Sequence, residues 1–180
     1  MSSTHSRAAR LALLAPALAT LAVAVTGSAA GADHHKSSER FVVRGVDTVV
    51  DGGDCPGGVC RLALTDGAFR GTVGTGAYTG AIKLKVAEGY QNGEGGVCAP
   101  IAGGIELGAG TPDRLVLMLR GDSCQDGAGP VTAASFTGLV QFTIAKGTGK
   151  YAHARGSGIG SFAEDAADRE QMTLIGRIAR

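Results

Sequence analysis

Thirty of the 180 residues are glycine, and many of them fall inside strand-like apolar runs and not between them. Residues 136–162, FTGLVQFTIAKGTGKYAHARGSGIGSF, show the pattern: glycines alternate with Val, Ile, Phe and Tyr. Glycine weakens an isolated strand through its backbone entropy. It is useful where a sheet must bend, bulge or bring two backbones together. A disordered Gly-rich linker is excluded because 44% of the chain is hydrophobic, enough to build a core. A small, strongly coiled barrel is the architecture that best explains so many in-strand glycines.

The remaining pattern is that of strands. Residues 41–50 alternate and are rich in β-branched side chains, and residues 61–65 are short and apolar. Ile82, Leu84 and Val86 alternate with Lys83 and Lys85, which gives one dry and one wet face. Residues 114–120 are apolar between charged ends. Phe136, Gly138, Val140, Phe142 and Ile144 share a face, as do Met172, Leu174 and Ile178. Clusters of Asp, Gly, Pro and Asn separate these segments. The one helical expectation is short, over residues 163–170. The fold class is therefore all-β, an antiparallel closed β-barrel of about eight strands. Closure also removes the strand edges through which such a chain would aggregate.

The first 32 residues read as an export signal. Arg7 and Arg10 precede an apolar run over residues 11–25, and Ala30-Gly31-Ala32 offers small residues for cleavage after Ala32, or alternatively after Ala30. The run is short for a membrane span, which needs ~20 residues. The expected organisation is a signal peptide at 1–32, a polar arm at 33–39 and a barrel domain at 40–180, secreted to the extracellular space. Removing Arg7 and Arg10 leaves 15 basic against 16 acidic residues, with no basic block. Nucleic acid and anionic membrane are therefore not expected as partners of the mature chain.

Four cysteines behind an export signal read as two disulfides. Cys55 and Cys60 flank the turn Pro56-Gly57-Gly58-Val59. Cys98 and Cys124 lie equally far from Thr111, the centre of a turn signal over residues 108–113. A hairpin about that turn sets them opposite each other, so the expected pairs are Cys55–Cys60 and Cys98–Cys124. A zinc site is the rival, but the paired C-x-x-C spacings are absent.

Residues 74–81 and 147–154 both read G-T-G-x-Y-x-x-A, 73 residues apart, with Phe69 and Phe142 preceding them at the same offset. Each suggests a hairpin whose glycines admit positive φ and whose tyrosine enters the next strand and packs inward. Two copies suggest pseudo-twofold construction. The stretch GTGKYAHARGSG at residues 147–158 resembles the hairpin signature of the dirigent and allene oxide cyclase-like barrels, with a weaker echo at residues 71–86. The resemblance implies an eight-stranded antiparallel barrel with a central cavity. It carries no active residues over, since those of the two families lie outside this hairpin.

No catalytic constellation appears: there is no G-x-S-x-G and no H-E-x-x-H. His153, the only histidine of the barrel segment, has no evident partner. Cleavage after Ala32 would expose Asp33-His34-His35, an amino-terminal motif suited to Cu(II) or Ni(II); otherwise no metal and no cofactor are expected. The carboxylates at 164, 165, 168 and 170 read as a solvated loop. No calcium loop is present, and with no Trp and three Tyr an aromatic sugar platform is disfavoured. The leading expectation is a non-catalytic barrel binding a small apolar ligand. Leu117 and Phe142 would line the interior, and Tyr78, Tyr151 and His153 the rim. A barrel-type cyclase or isomerase for a small hydrophobic substrate is the alternative. A structural cell-envelope protein with a filled interior is a third reading.

Overall fold

The computed structural model describes residues 37–93, 95–125 and 136–180. Residues 1–32, where an export signal is expected, and Asp33, His34 and His35 lie outside the described residues. The strands are β1 (Glu39–Asp51), β2 (Cys60–Gly71), β3 (Gly74–Leu84), β4 (Tyr90–Gln91), β5 (Val97–Leu107), β6 (Leu115–Gln125), β7 (Phe136–Gly147), β8 (Arg155–Glu164) and β9 (Arg169–Ala179). Every pairing is antiparallel. Chain neighbours other than β3 and β4 pair in turn, and β1–β9 and β3–β5 complete the circuit. The result is a closed eight-stranded barrel, with the two-residue β4 paired on the start of β5.

The alternation read from the sequence decides which face is dry. Phe41, Val43 and Val49 of β1, Leu115, Leu117 and Leu119 of β6, and Met172, Leu174 and Ile178 of β9 all point inward and are buried. One expectation fails. Residues 163–170 form no helix: the segment ends β8, turns and starts β9. The Asp165 carboxylate accepts the N–H groups of Ala167 and Arg169, which stabilises a tight turn. Strand pairing takes the residues on either side, Glu164 opposite Glu170 and Ala163 opposite Gln171.

The in-strand glycines chiefly make room. Tyr78 and Phe142 are the large rings of the interior, 0% and 1% exposed. A Cβ on Gly45 would stand 2.8 Å from the Tyr78 hydroxyl, and one on Gly67 2.8 Å from its ring. Gly158 and Gly176 face each other across β8 and β9. A Cβ on either would stand 2.6 or 2.9 Å from the Phe142 ring. Small and large residues thus alternate around the barrel wall, and the core is filled by side chains. Gly158→Ala is expected to cost about 1–3 kcal/mol, the usual penalty for overfilling a packed core. The urea midpoint checks this; a midpoint equal to the parent's would contradict it.

The two barrel ends differ. Both disulfides, Cys55–Cys60 and Cys98–Cys124, lie at one end, with the β8–β9 turn. Cys98 and Cys124 are register partners in β5 and β6. The bonds fit an oxidising environment of the extracellular type. The opposite end is closed by the β2–β3, β5–β6 and β7–β8 turns. The G-T-G-x-Y hairpins, β2–β3 and β7–β8, sit four places apart in the eight-strand circuit. Their glycines Gly74 and Gly149 take φ of +108° and +57°, which an L side chain adopts only under strain. The tyrosines diverge, however. Tyr78 enters β3 and points inward, whereas Tyr151 sits in the turn itself. Among the described residues no helix is long and apolar enough to cross a membrane.

Candidate functional site

One row of the barrel's inner face departs from the apolar rule. Glu164 of β8 lies directly opposite Glu170 of β9, and Glu170 directly opposite Asp47 of β1. All three side chains occupy the inward phase. Asp47 follows Val43 and Gly45 at steps of two, Glu164 follows Phe162, and Glu170 precedes Met172. Asp47 sits where β1 and β2 slip register, beside the bulge that holds Gly67. Gly67 in turn pairs with Tyr78. Because barrel strands are tilted, this row climbs from the disulfide end into the core. The Tyr78 hydroxyl donates a hydrogen bond to Asp47 Oδ2.

Carboxylates placed directly opposite one another repel, and burial removes the water that would screen them. Glu170 is 8% exposed and Asp47 3%. Burial, then the charges of Asp47 and Glu164, pushes the Glu170 carboxyl up to about 8. Burial and the charges of Asp168, Asp47 and Asp165 push Glu164 up to about 7. Asp47 is also raised by burial, with the Tyr78 hydrogen bond pulling the other way. Tyr78 is raised by burial and by its bond to Asp47, so it stays a donor. No ion pair among the described residues reaches these carboxyls: the four present join Lys85–Glu88, Arg114–Glu106, Lys150–Asp113 and Arg180–Glu39. Asp47 Oδ1 is buried without a hydrogen-bond partner. No group of His, Cys, Asp and Glu among the described residues is arranged to hold a metal ion.

Glu164 and Glu170 border the interior space that the side chains leave unfilled. This is a cavity of about 40 Å³ at the disulfide end, walled by Leu64, Ile101, Leu119, Val140, Phe162 and Met172 among others. It has room for roughly three water-sized groups. Whole drug-sized ligands occupy roughly 300–1,000 Å³, so this cleft takes the end of a molecule and not the whole of one.

The residues singled out in the sequence are scattered relative to this cleft. Leu117 and Phe142 are buried deep in the packed core, and Tyr78 joins the acidic row through Asp47. His153 is exposed in the β7–β8 turn. Tyr151, 4% exposed, plugs the opposite end. Its hydroxyl donates to the Val73 carbonyl at 2.6 Å, tying the second G-T-G hairpin to the first. Lys150 and Arg180 cover its ring, at 5.1 and 5.3 Å from the centroid. Tyr151→Phe strands that carbonyl and is expected to cost about 1–3 kcal/mol. Hydrogen exchange at Gly74 and Thr75 should quicken; unchanged protection there would refute the link.

The expectation that residues 164–170 form a solvated loop is corrected. Only residues 165–169 are exposed, while Glu170 is buried and Glu164 half-buried. The signal that could have found the site is phase. Each acid stands an even number of residues from an inward apolar neighbour, which in a strand places it on the dry face. Compared with protein-family models, curated proteins and solved structures, the chain matches none.

Proposed function

We propose that this is a secreted, non-catalytic barrel that binds a small molecule at its disulfide end. The apolar end of the ligand enters the 40 Å³ cleft and its polar end meets Glu164 and Glu170. The observation that carries this reading is the pairing of an apolar cleft with carboxyls that have no ion-pair partner among the described residues. Buried polar groups left unsatisfied work against stability, and such departures from consistency gather at functional sites. The two disulfides support export. The closed antiparallel circuit and the GTGKYAHARGSG hairpin support kinship with the dirigent and allene oxide cyclase-like barrels.

A second reading, a cyclase or isomerase, is favoured by one observation: carboxyls raised to about 7 and 8 beside an apolar cleft suit proton transfer near neutral pH. The test begins with small neutral probes. In NMR titrations with 1-butanol, nuclear Overhauser contacts are expected from the probe's methyl group to Met172, Leu119 and Val140. Native mass spectrometry of protein recovered from culture medium would show any retained ligand. Absence of contacts at tens of millimolar from 1-butanol and from charged analogues of the same length alike would overturn the binding reading.

A further inference from the structure

We propose that the ligand of this cleft is a small organic ammonium ion, its hydrocarbon end among Leu119, Val140 and Met172 and its –NH₃⁺ group against Glu170 and Glu164. This rests on the binding reading above and names the chemical class it takes.

The argument starts from what the fold leaves unpaired. Three acids stand side by side in one register row, Asp47, Glu170 and Glu164. Two of them border the cleft. Glu170 is more than nine-tenths buried, borders the cleft and makes no side-chain hydrogen bond or ion pair among the described residues. Asp47 Oδ1 behind it is buried and unpartnered as well. The groups acting on Glu170 are Asp47 on β1, Glu164 on β8 and Tyr78 on β3, while Asp165 and Asp168 in the β8–β9 turn act on Glu164. None is a cation. The sequence joining β6 to β7, residues 126–135, contains no Lys, Arg or His either. Among the described residues, the fold therefore sets acceptors around this position and places no positive charge against it.

An ammonium group answers each of these features. It brings three donors to carboxylate oxygens that have none, and its charge relieves the repulsion between opposed acids. Its own desolvation is offset because it meets ionised partners in a poorly hydrated site. A neutral alcohol offers one donor and no charge, and a carboxylate adds a like charge. The cleft takes roughly three non-hydrogen atoms of the tail, which sets the class as short-chain aliphatic amines or the exposed alkyl ends of larger ones. Binding carries a proton balance. A carboxyl that is protonated in the free protein ionises when the ammonium arrives, and that proton passes to the buffer.

The test compares butylammonium, 1-butanol and butyrate by NMR titration of the intact domain at pH 8, with Glu170→Gln as the variant. Butylammonium should bind at least tenfold more tightly than 1-butanol, and butyrate should show no saturable binding. The tenfold advantage should vanish in Glu170→Gln and shrink at pH 5, where an added proton competes with the ligand. Calorimetry in two buffers of different ionisation enthalpy should show proton release. Equal affinity for butylammonium and 1-butanol, both contacting Met172, would overturn the ammonium assignment and leave the apolar site standing. Butylammonium binding that is unchanged in Glu170→Gln would overturn it too, as surface attraction. Failure of all three probes to contact the cleft removes the binding reading itself.

Discussion

Between pH 5 and pH 8 the domain should become less stable by on the order of 4 kcal/mol, a fall in melting temperature of roughly 8–15 °C. The sign follows from the acidic row. Glu170 ionises near 4.5 in an unfolded chain but only at about 8 in the fold. Within that window the folded state holds a proton that the unfolded state has released, so raising the pH favours unfolding. The stabilisation is complete below about pH 4.5 and lost as pH passes 8. Each such carboxyl contributes a slope of about 1.4 kcal/mol per pH unit while the two states differ by one proton. Glu164, raised to about 7, adds less because it is half-exposed and screened by water. Asp113 runs the opposite way. Its bonds from the Lys150 backbone and side chain hold it below the usual carboxylate value, so its contribution weakens only at acid pH. The measurement is a series of urea unfolding curves from pH 5 to 9. Glu170→Gln keeps the shape without the charge, so it should match the parent within about 1 kcal/mol at pH 4.5 and exceed it by on the order of 4 kcal/mol at pH 9. A parent profile that is flat or rising over this range would refute the protonated row.

Removing the Cys98–Cys124 bond should cost about 3–4 kcal/mol, against about 2 for Cys55–Cys60, by the chain-entropy argument for their different loops. The separations are 26 and 5 residues. The longer loop contains the whole β5–β6 hairpin and its turn, so cutting it restores far more freedom to the unfolded chain. The difference is also local. Cys98 is 1% exposed and joins register partners, while the Cys55 end lies in an exposed turn. Cys98→Ala/Cys124→Ala and Cys55→Ala/Cys60→Ala, compared by urea unfolding at pH 6, test the order. Equal losses, or a larger loss from the short loop, would contradict it. Mouth contacts with the butyl probes should weaken in the first variant, since β5 and β6 carry Ile101 and Leu119 of the cleft wall.

Barrel closure and the Cys98–Cys124 pairing were legible in the chain because both depend on short-range regularity. Alternation of period two marks the dry face, and two cysteines equidistant from Thr111 must meet if the turn forms there. The glycines pointed the right way for a partly different reason. Gly158 and Gly176 let the facing backbones approach, with the carbonyls of Ile175 and Ser157 2.2 Å from where a Cβ would stand, and they also leave space to the Phe142 ring. That depends on a ring brought from another strand, which no local pattern reveals. The acidic row was hidden by its neighbours in sequence. Glu164 and Glu170 sit on either side of an exposed turn that contains Asp165 and Asp168, so the whole cluster looked solvated. Only strand phase separates the two that point inward from the two that do not. Tyr151 illustrates the same limit. Its motif copies that of Tyr78, yet a longer turn leaves it outside the strand, where its hydroxyl finds Val73 some 78 residues away.

The seam between β1 and β9 joins Glu39 to Ile178 and Thr48 to Arg169. A polypeptide threaded through a translocation channel with its amino end leading would therefore emerge as an open sheet with two bare edges. It would remain so until its final eleven-residue strand had passed. Completion of the cylinder is in that case a post-transit event. The hazard of self-association is greatest in that interval, when β1 and β8 each lack the partner that β9 supplies.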